Sequence, residues 1–203
     1  MLPPAETLVV YLGAAVTLIL APGPDTVYVI SRGANRGGHT GRLAALGIAT
    51  GVLIHTAIVA LGLATLLRTA PWSITLVKAV GAAYLAYLGI ETLRRRGAGI
   101  DTPTDSGGSN AFRRGVAVNV LNPKVALFFL AFLPGFAPDG EAATMLALGG
   151  IYALLTALYL GTVGSVSGAA AATLRSARLT TWLDTAAGIA LLGLAALLAT
   201  GVT

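Results

Sequence analysis

The longest uninterrupted feature of the chain is a stretch of 33 residues, 142–174, without one charged side chain. Wound as an α-helix it would measure about 50 Å, more than the roughly 30 Å of a bilayer's hydrocarbon core. A second uncharged stretch, 43–67, has His55 near its middle. Four more apolar runs, 7–31, 72–93, 111–136 and 179–202, carry few charges. Only 10% of the 203 residues are charged and 56% are hydrophobic, whereas soluble domains carry about 25% charged residues. Twenty-one charges cannot coat a soluble core of this size. The pattern predicts an all-α integral membrane protein with six transmembrane helices.

Several chemistries fall away with that assignment. The chain has no cysteine, so it can build no disulfide, thiolate metal site or thiol relay. A net charge of +5 could suggest nucleic acid, but the basic residues crowd the segments between apolar runs, as membrane topology requires. No nucleic-acid partner and no cofactor are expected. The run at 7–31 is expected to be a span and not a signal peptide, because no basic region precedes it and no small-x-small site follows.

Orientation follows from the same charges. The segments after the first, third and fifth runs must share a side of the membrane, and they hold Arg32, Arg36, Arg42, Arg94, Arg95, Arg96, Arg113, Arg114, Arg175 and Arg178. The other side has Arg68 with Glu6, Asp139 and Glu141. The positive-inside rule places both termini outside and the linker 94–111 in the cytoplasm of a multi-pass inner-membrane protein. Trp72 and Trp182 fall near predicted helix ends, where amphipathic rings favour the interface. The linker divides the chain into parts of similar length, 1–93 and 112–203, each with three spans. An odd number of spans makes the second part enter the membrane in the opposite sense. The expectation is two inverted three-helix repeats, with broken first and fourth helices.

Those breaks carry the site. Pro22 and Pro24 lack amide hydrogens and push the residue before each away from helical geometry; Gly23 between them tolerates unusual dihedrals. The carbonyls of residues 18–20 lose their helical partners, which hydrocarbon tolerates only where the backbone lines a polar cavity. Asp25 follows at once, either capping the restarted helix through the amides of Val27 or Tyr28 or meeting a proton or the cationic group of a substrate. Asn122-Pro123-Lys124 repeats the device with opposite charge. A lysine near mid-membrane costs about 2.5–3.5 kcal/mol on insertion scales, so it needs a partner or a task. Arg114 lies ten positions back, which puts Lys124 about 15 Å from that surface, beyond easy snorkelling. Asp25 is eleven positions from Arg36, a similar depth. The two charges are expected at one level, pairing with each other or bracketing a zwitterion. Paired broken helices in corresponding positions point to a secondary transporter.

Other polar residues are open to two uses. His55 is a proton carrier or a hydrogen-bonded packing residue. Lys78 and Asp184, about six residues into their spans, are gating charges or interface anchors. A lone midplane histidine makes a poor metal site, and no metal is expected. Gly47-Ile48-Ala49-Thr50-Gly51 and Gly164-Ser165-Val166-Ser167-Gly168 suit close helix packing, within a protomer or across a homodimer. No nucleophile–base spacing supports an enzyme.

Three segments carry a family resemblance: LAPGPDTVYVISRGANRGGHTGRLAALGIATG at 20–51, KAVGAAYLAYLGIETLR at 78–94 and GVAVNVLNPKVALFFLAFLPGF at 115–136. With PGP and NPK in this order, the chain resembles the LysE/RhtB family of amino-acid exporters. The likeness spans nearly the whole length and is weaker beyond Phe136. It implies an inner-membrane carrier, not an enzyme, that exports amino acids or close derivatives on a proton or electrical gradient. It also implies substrate-binding roles for Pro22, Gly23, Pro24, Asp25, Asn119, Asn122, Pro123 and Lys124. Relatives often have asparagine where this chain has Asp25. The wider superfamily includes thiol-redox carriers and cadmium exporters; the absence of cysteine argues directly against the first and weakens the second. Two alternatives stand beside the amino-acid exporter: a membrane subunit that transports nothing, and an exporter of another small cation.

Overall fold

The computed structural model describes residues 3–69, 72–94, 110–137, 141–174 and 177–200. Most of the linker 94–111 lies outside them. Every regular element among these residues is helical. In chain order they are α1 (Ala5–Leu20), α2 (Pro24–Arg36), α3 (Gly38–Thr69), α4 (Trp72–Arg94), α5 (Ala111–Val120), α6 (Pro123–Ala131), α7 (Ala142–Leu174) and α8 (Ala177–Thr200), with a 3-10 turn at Leu133–Phe136 after α6.

The prolines break the chain where their geometry demands it. Ala21 before Pro22 is extended at ψ 118°, Gly23 before Pro24 at ψ −173°, and Asn122 before Pro123 at ψ 107°. Each proline-led helix restarts with proline in its first turn, where the missing amide hydrogen has no helical partner to lose. The axes bend by 52° between α1 and α2 and by 55° across the α5–α6 break. Within the described residues, α3 over Gly38–Gly62 and α7 over Ala142–Ser167 are long and apolar enough to cross a membrane. Counting each bent pair as one span brings the number to four. The helices α4 and α8 coincide with the third and sixth predicted spans, and the apolar stretch found in α8 is Thr185–Thr200.

One correction concerns the loop after the first span. Arg32 is not a loop residue. It lies inside α2, 3% exposed, with its guanidinium 5.2 Å from the Tyr28 ring centroid. The chain needs almost no loop there, because Gly37 adopts φ +85°, a left-handed conformation that turns α2 directly into α3.

Association of these helices relies on close packing, since lipid is as apolar as their side chains. α3 packs against α5 and α7, α2 lies against α3 and α7, and α4 packs on α8 and α6. Backbones meet at glycines: a Cβ on Gly41 would stand 2.5 Å from the Gly164 carbonyl oxygen, and one on Gly115 2.5 Å from that of Ala44. Gly47 and Gly51 of the first small-residue pattern face α5 at Phe112 and Asn119. Gly164 of the second faces α3, and Gly168 lies outside the described side chains. Between α6 and α7 the aromatic rings of Phe128, Phe129, Phe132, Phe136 and Tyr152 form a buried column that ends on Tyr11 of α1. The outside is as apolar as the inside: Leu61, Leu121, Leu158, Trp182 and Ile189 are all largely exposed. In water such a surface would aggregate; in a bilayer it is the lipid face.

Candidate functional site

The two helix breaks meet. Lys124, in the first turn of α6, donates through Nζ to the carbonyl oxygens of Ala21 at 2.8 Å and Leu18 at 3.2 Å. These belong to the carbonyl end of α1 that the Pro22 break strips of helical partners. A cation is favoured there by the helix dipole, so Lys124 caps a helix more than a hundred residues away in sequence and does not snorkel. Gly23 makes room for it: a Cβ at that position would stand 3.0 Å from Lys124 Nζ. The expected unusual dihedral is not what this glycine supplies, because its φ of −170° is open to any residue. Its value is the missing side chain.

Asp25 lies in the first turn of α2, where the dipole favours an anion. It does not cap that helix. Gly23 occupies the N-cap because Pro24 takes the first helical position, and the Asp25 carboxylate instead accepts from Asn119 at 2.8 Å through Oδ2. Asn119 of α5 is fully buried, and His55 of α3 holds its backbone carbonyl at 3.2 Å through Nε2. The Gly51 backbone lets Asn119 in: a Cβ there would come within 2.7 Å of its side chain.

Asp25, Asn119 and Lys124 line one cavity. They sit close enough for the Asp25 and Lys124 charges to act on each other. Among the described residues no ion pair joins these two, because each has other partners. The rest of the wall is mostly apolar, with Leu18, Ile19, Val52, Val125 and Leu160. The free volume is about 10 Å³, room for a single water, against the roughly 300–1,000 Å³ of ordinary ligand pockets. As it stands, the cavity admits nothing larger than a water.

Other expected residues take different places. Pro24 and Pro123 are exposed and act by breaking helices; Pro22 is half-buried beside them. Asn122 is buried, but its amide oxygen caps α6 by accepting from the Lys124 backbone amide at 3.0 Å. The group that would meet an ammonium is thus occupied, because a residue preceding proline at a helix start is placed to cap. His55 stacks on Phe129 at 6.2 Å between ring centroids, one layer behind the cavity. Lys78 is half-buried on α4 away from the cavity wall, and the Asp184 side chain lies outside the described residues. Sequence reasoning missed Tyr152 and Thr156 of α7, which also line the cavity. Their spacing of four puts both on one face of an uncharged helix, a signal that was present in the sequence.

Gly23→Ala isolates the role of that close approach. It is expected to displace the Lys124 ammonium and lower stability by about 1.5 kcal/mol, the loss of one charged hydrogen bond. Gly13→Ala, on the same broken segment but facing open space, is expected to change nothing. Thermal unfolding of the two purified variants checks this.

Comparison with known proteins adds a family. The family model described as LysE type translocator matches residues 16–201. An uncharacterized membrane protein of Pseudomonas aeruginosa is 35% identical over 162 residues, 74% of each chain. One from Vibrio cholerae is 38% identical over 128 residues, 62% of each chain. A leucine efflux protein of Salmonella typhimurium is 36% identical over 131 residues, 62% of this chain and 61% of that protein. No solved structure matches.

Proposed function

Since the chain belongs to the LysE type translocator family of membrane proteins, we propose that it is a secondary transporter exporting amino acids, neutral and apolar ones foremost. One observation carries this reading: two opposite buried charges, Asp25 and Lys124, line one cavity at the two helix breaks. The ammonium of a zwitterion would meet Asp25 and Asn119. Its carboxylate would take the Lys124 ammonium from the carbonyls of Leu18 and Ala21. The apolar wall suits an aliphatic side chain, in keeping with the leucine efflux relative.

The rest of the proposal concerns how the site moves. Six spans in two inverted repeats would put the breaks of α1–α2 and α5–α6 in corresponding positions, and their similar bends of 52° and 55° support this. Lys124 ties the α6 start to the α1 end. Its release to a substrate carboxylate would free one break from the other and allow alternating access. Both termini would lie outside the inner membrane, with the proton or electrical gradient as the driving force.

Purified protein in proteoliposomes tests the function. Loaded with single amino acids, the vesicles are expected to release leucine and similar residues faster when a pH or electrical gradient is imposed. Release no faster than from protein-free vesicles, for every amino acid in the panel, would overturn the proposal.

A further inference from the structure

Six hydroxyls within these helices share one habit. Thr50, Thr56, Thr162, Ser165, Ser167 and Thr185 each donate to the carbonyl four residues back. That bond lets a hydroxyl sit in an apolar helix without an orphaned donor. Thr156 on α7 breaks the habit. Only 3% of its surface is exposed, yet its Oγ1 has no hydrogen-bond partner. Thr156 lines the cavity between the two breaks.

Two further oxygens on residues that line that cavity are in the same condition, Asp25 Oδ1 and Asn119 Oδ1. Their chemistry is fixed. A carboxylate only accepts, so the Asn119 amide nitrogen must be the atom facing Asp25 Oδ2, and the amide oxygen is the one left over. Buried polar atoms without partners are costly, and three from side chains around one small cavity are costly together. What they lack is donors.

We propose that Thr156 is the third oxygen of a site for a primary ammonium group, completed by Asp25 Oδ1 and Asn119 Oδ1. A primary ammonium has three N–H donors, one for each oxygen. The carboxylate supplies the charge, while the amide and hydroxyl count the donors. An N-methylated amino acid has one donor fewer and presses a methyl group against an oxygen that needs a hydrogen. The substrate class narrows to primary amino acids. This inference rests on the exporter function proposed above and deepens it at the same cavity.

The full chain in proteoliposomes, with L-leucine and N-methyl-L-leucine as probes, provides the test. Wild type is expected to prefer leucine about ten-fold or more, the worth of one hydrogen bond to a charged group. Thr156→Val copies the shape without the hydroxyl. It is expected to cut leucine transport about ten-fold while N-methyl-leucine stays within about two-fold, so the preference collapses. Thr156→Ser keeps the hydroxyl and is expected to keep the preference. Size-exclusion chromatography reads folding, and Thr156→Ala replaces the valine variant, with the same expectation, if valine prevents it. An unchanged preference in the variant, or equal loss of both probes by a folded variant, overturns the third oxygen. In the first case leucine transport that still requires Asp25 leaves the exporter function standing. If wild type carries neither probe, this inference fails, and the full amino-acid panel decides separately whether the exporter function stands.

Discussion

Replacing Lys124 with alanine is expected to abolish export while the protein still inserts and purifies. The side chain is 7% exposed and its ammonium binds the Leu18 and Ala21 carbonyls. Alanine removes the only positive charge on the cavity wall among the described residues and leaves the Asp25 carboxylate without its opposite. Truncating one partner of a buried hydrogen-bonded charge pair costs about 2–5 kcal/mol of binding, a factor of about 30 to several thousand in affinity. Efflux of labelled leucine from proteoliposomes, with insertion checked by size-exclusion chromatography, reads the result. Lys124→Arg is expected to restore little. It keeps the charge, but its planar fork has no room in a cavity of about 10 Å³. Export by the alanine variant at the wild-type rate would remove Lys124 from the mechanism.

Asp25→Ala is expected to have an effect of similar size, about 100-fold or more on transport, from the loss of a buried charge and of the acceptor that orients Asn119. Asp25→Asn is expected to be milder, about ten-fold. Asparagine can still accept from Asn119 and offer an oxygen to an ammonium, but without charge. The pair of variants measures what the charge adds. Combining Asp25→Ala with Lys124→Ala is expected to yield a protein that melts higher than either single variant, since neither buried charge is then left alone. It should export nothing. A double variant less stable than both singles would show that the two charges do not offset each other across the cavity.

The parts of this account that rest on covalent geometry and on charge in hydrocarbon were legible in the sequence. Proline cannot continue a helix, so both breaks stood where the sequence put them, and the same residues that break the helices mark the site. Asp25 and Lys124 stood out because a charge inside an apolar run demands an explanation. What each charge binds was not legible. Lys124 reaches carbonyls on α1, a contact across more than a hundred residues that depends on how the two breaks are stacked. Asn122 has the right chemistry for a ligand, but the following Pro123 commits its oxygen to a cap. Arg32 has the charge of a loop residue, but α2 runs to Arg36 and buries it against Tyr28. Thr156 gave no single-residue signal, because a threonine in an apolar helix ordinarily satisfies itself; only its failure to do so distinguishes it.

The central claim is that Asp25 and Lys124 hold the two ends of one zwitterion. Competition against labelled leucine in proteoliposomes tests it most directly, using leucinamide, which keeps only the ammonium, and 4-methylpentanoate, which keeps only the carboxylate. Unlabelled leucine is expected to compete fully, and either analogue to need about 100-fold higher concentration, the cost of one lost charged contact. Competition by either analogue as strong as leucine's would contradict it.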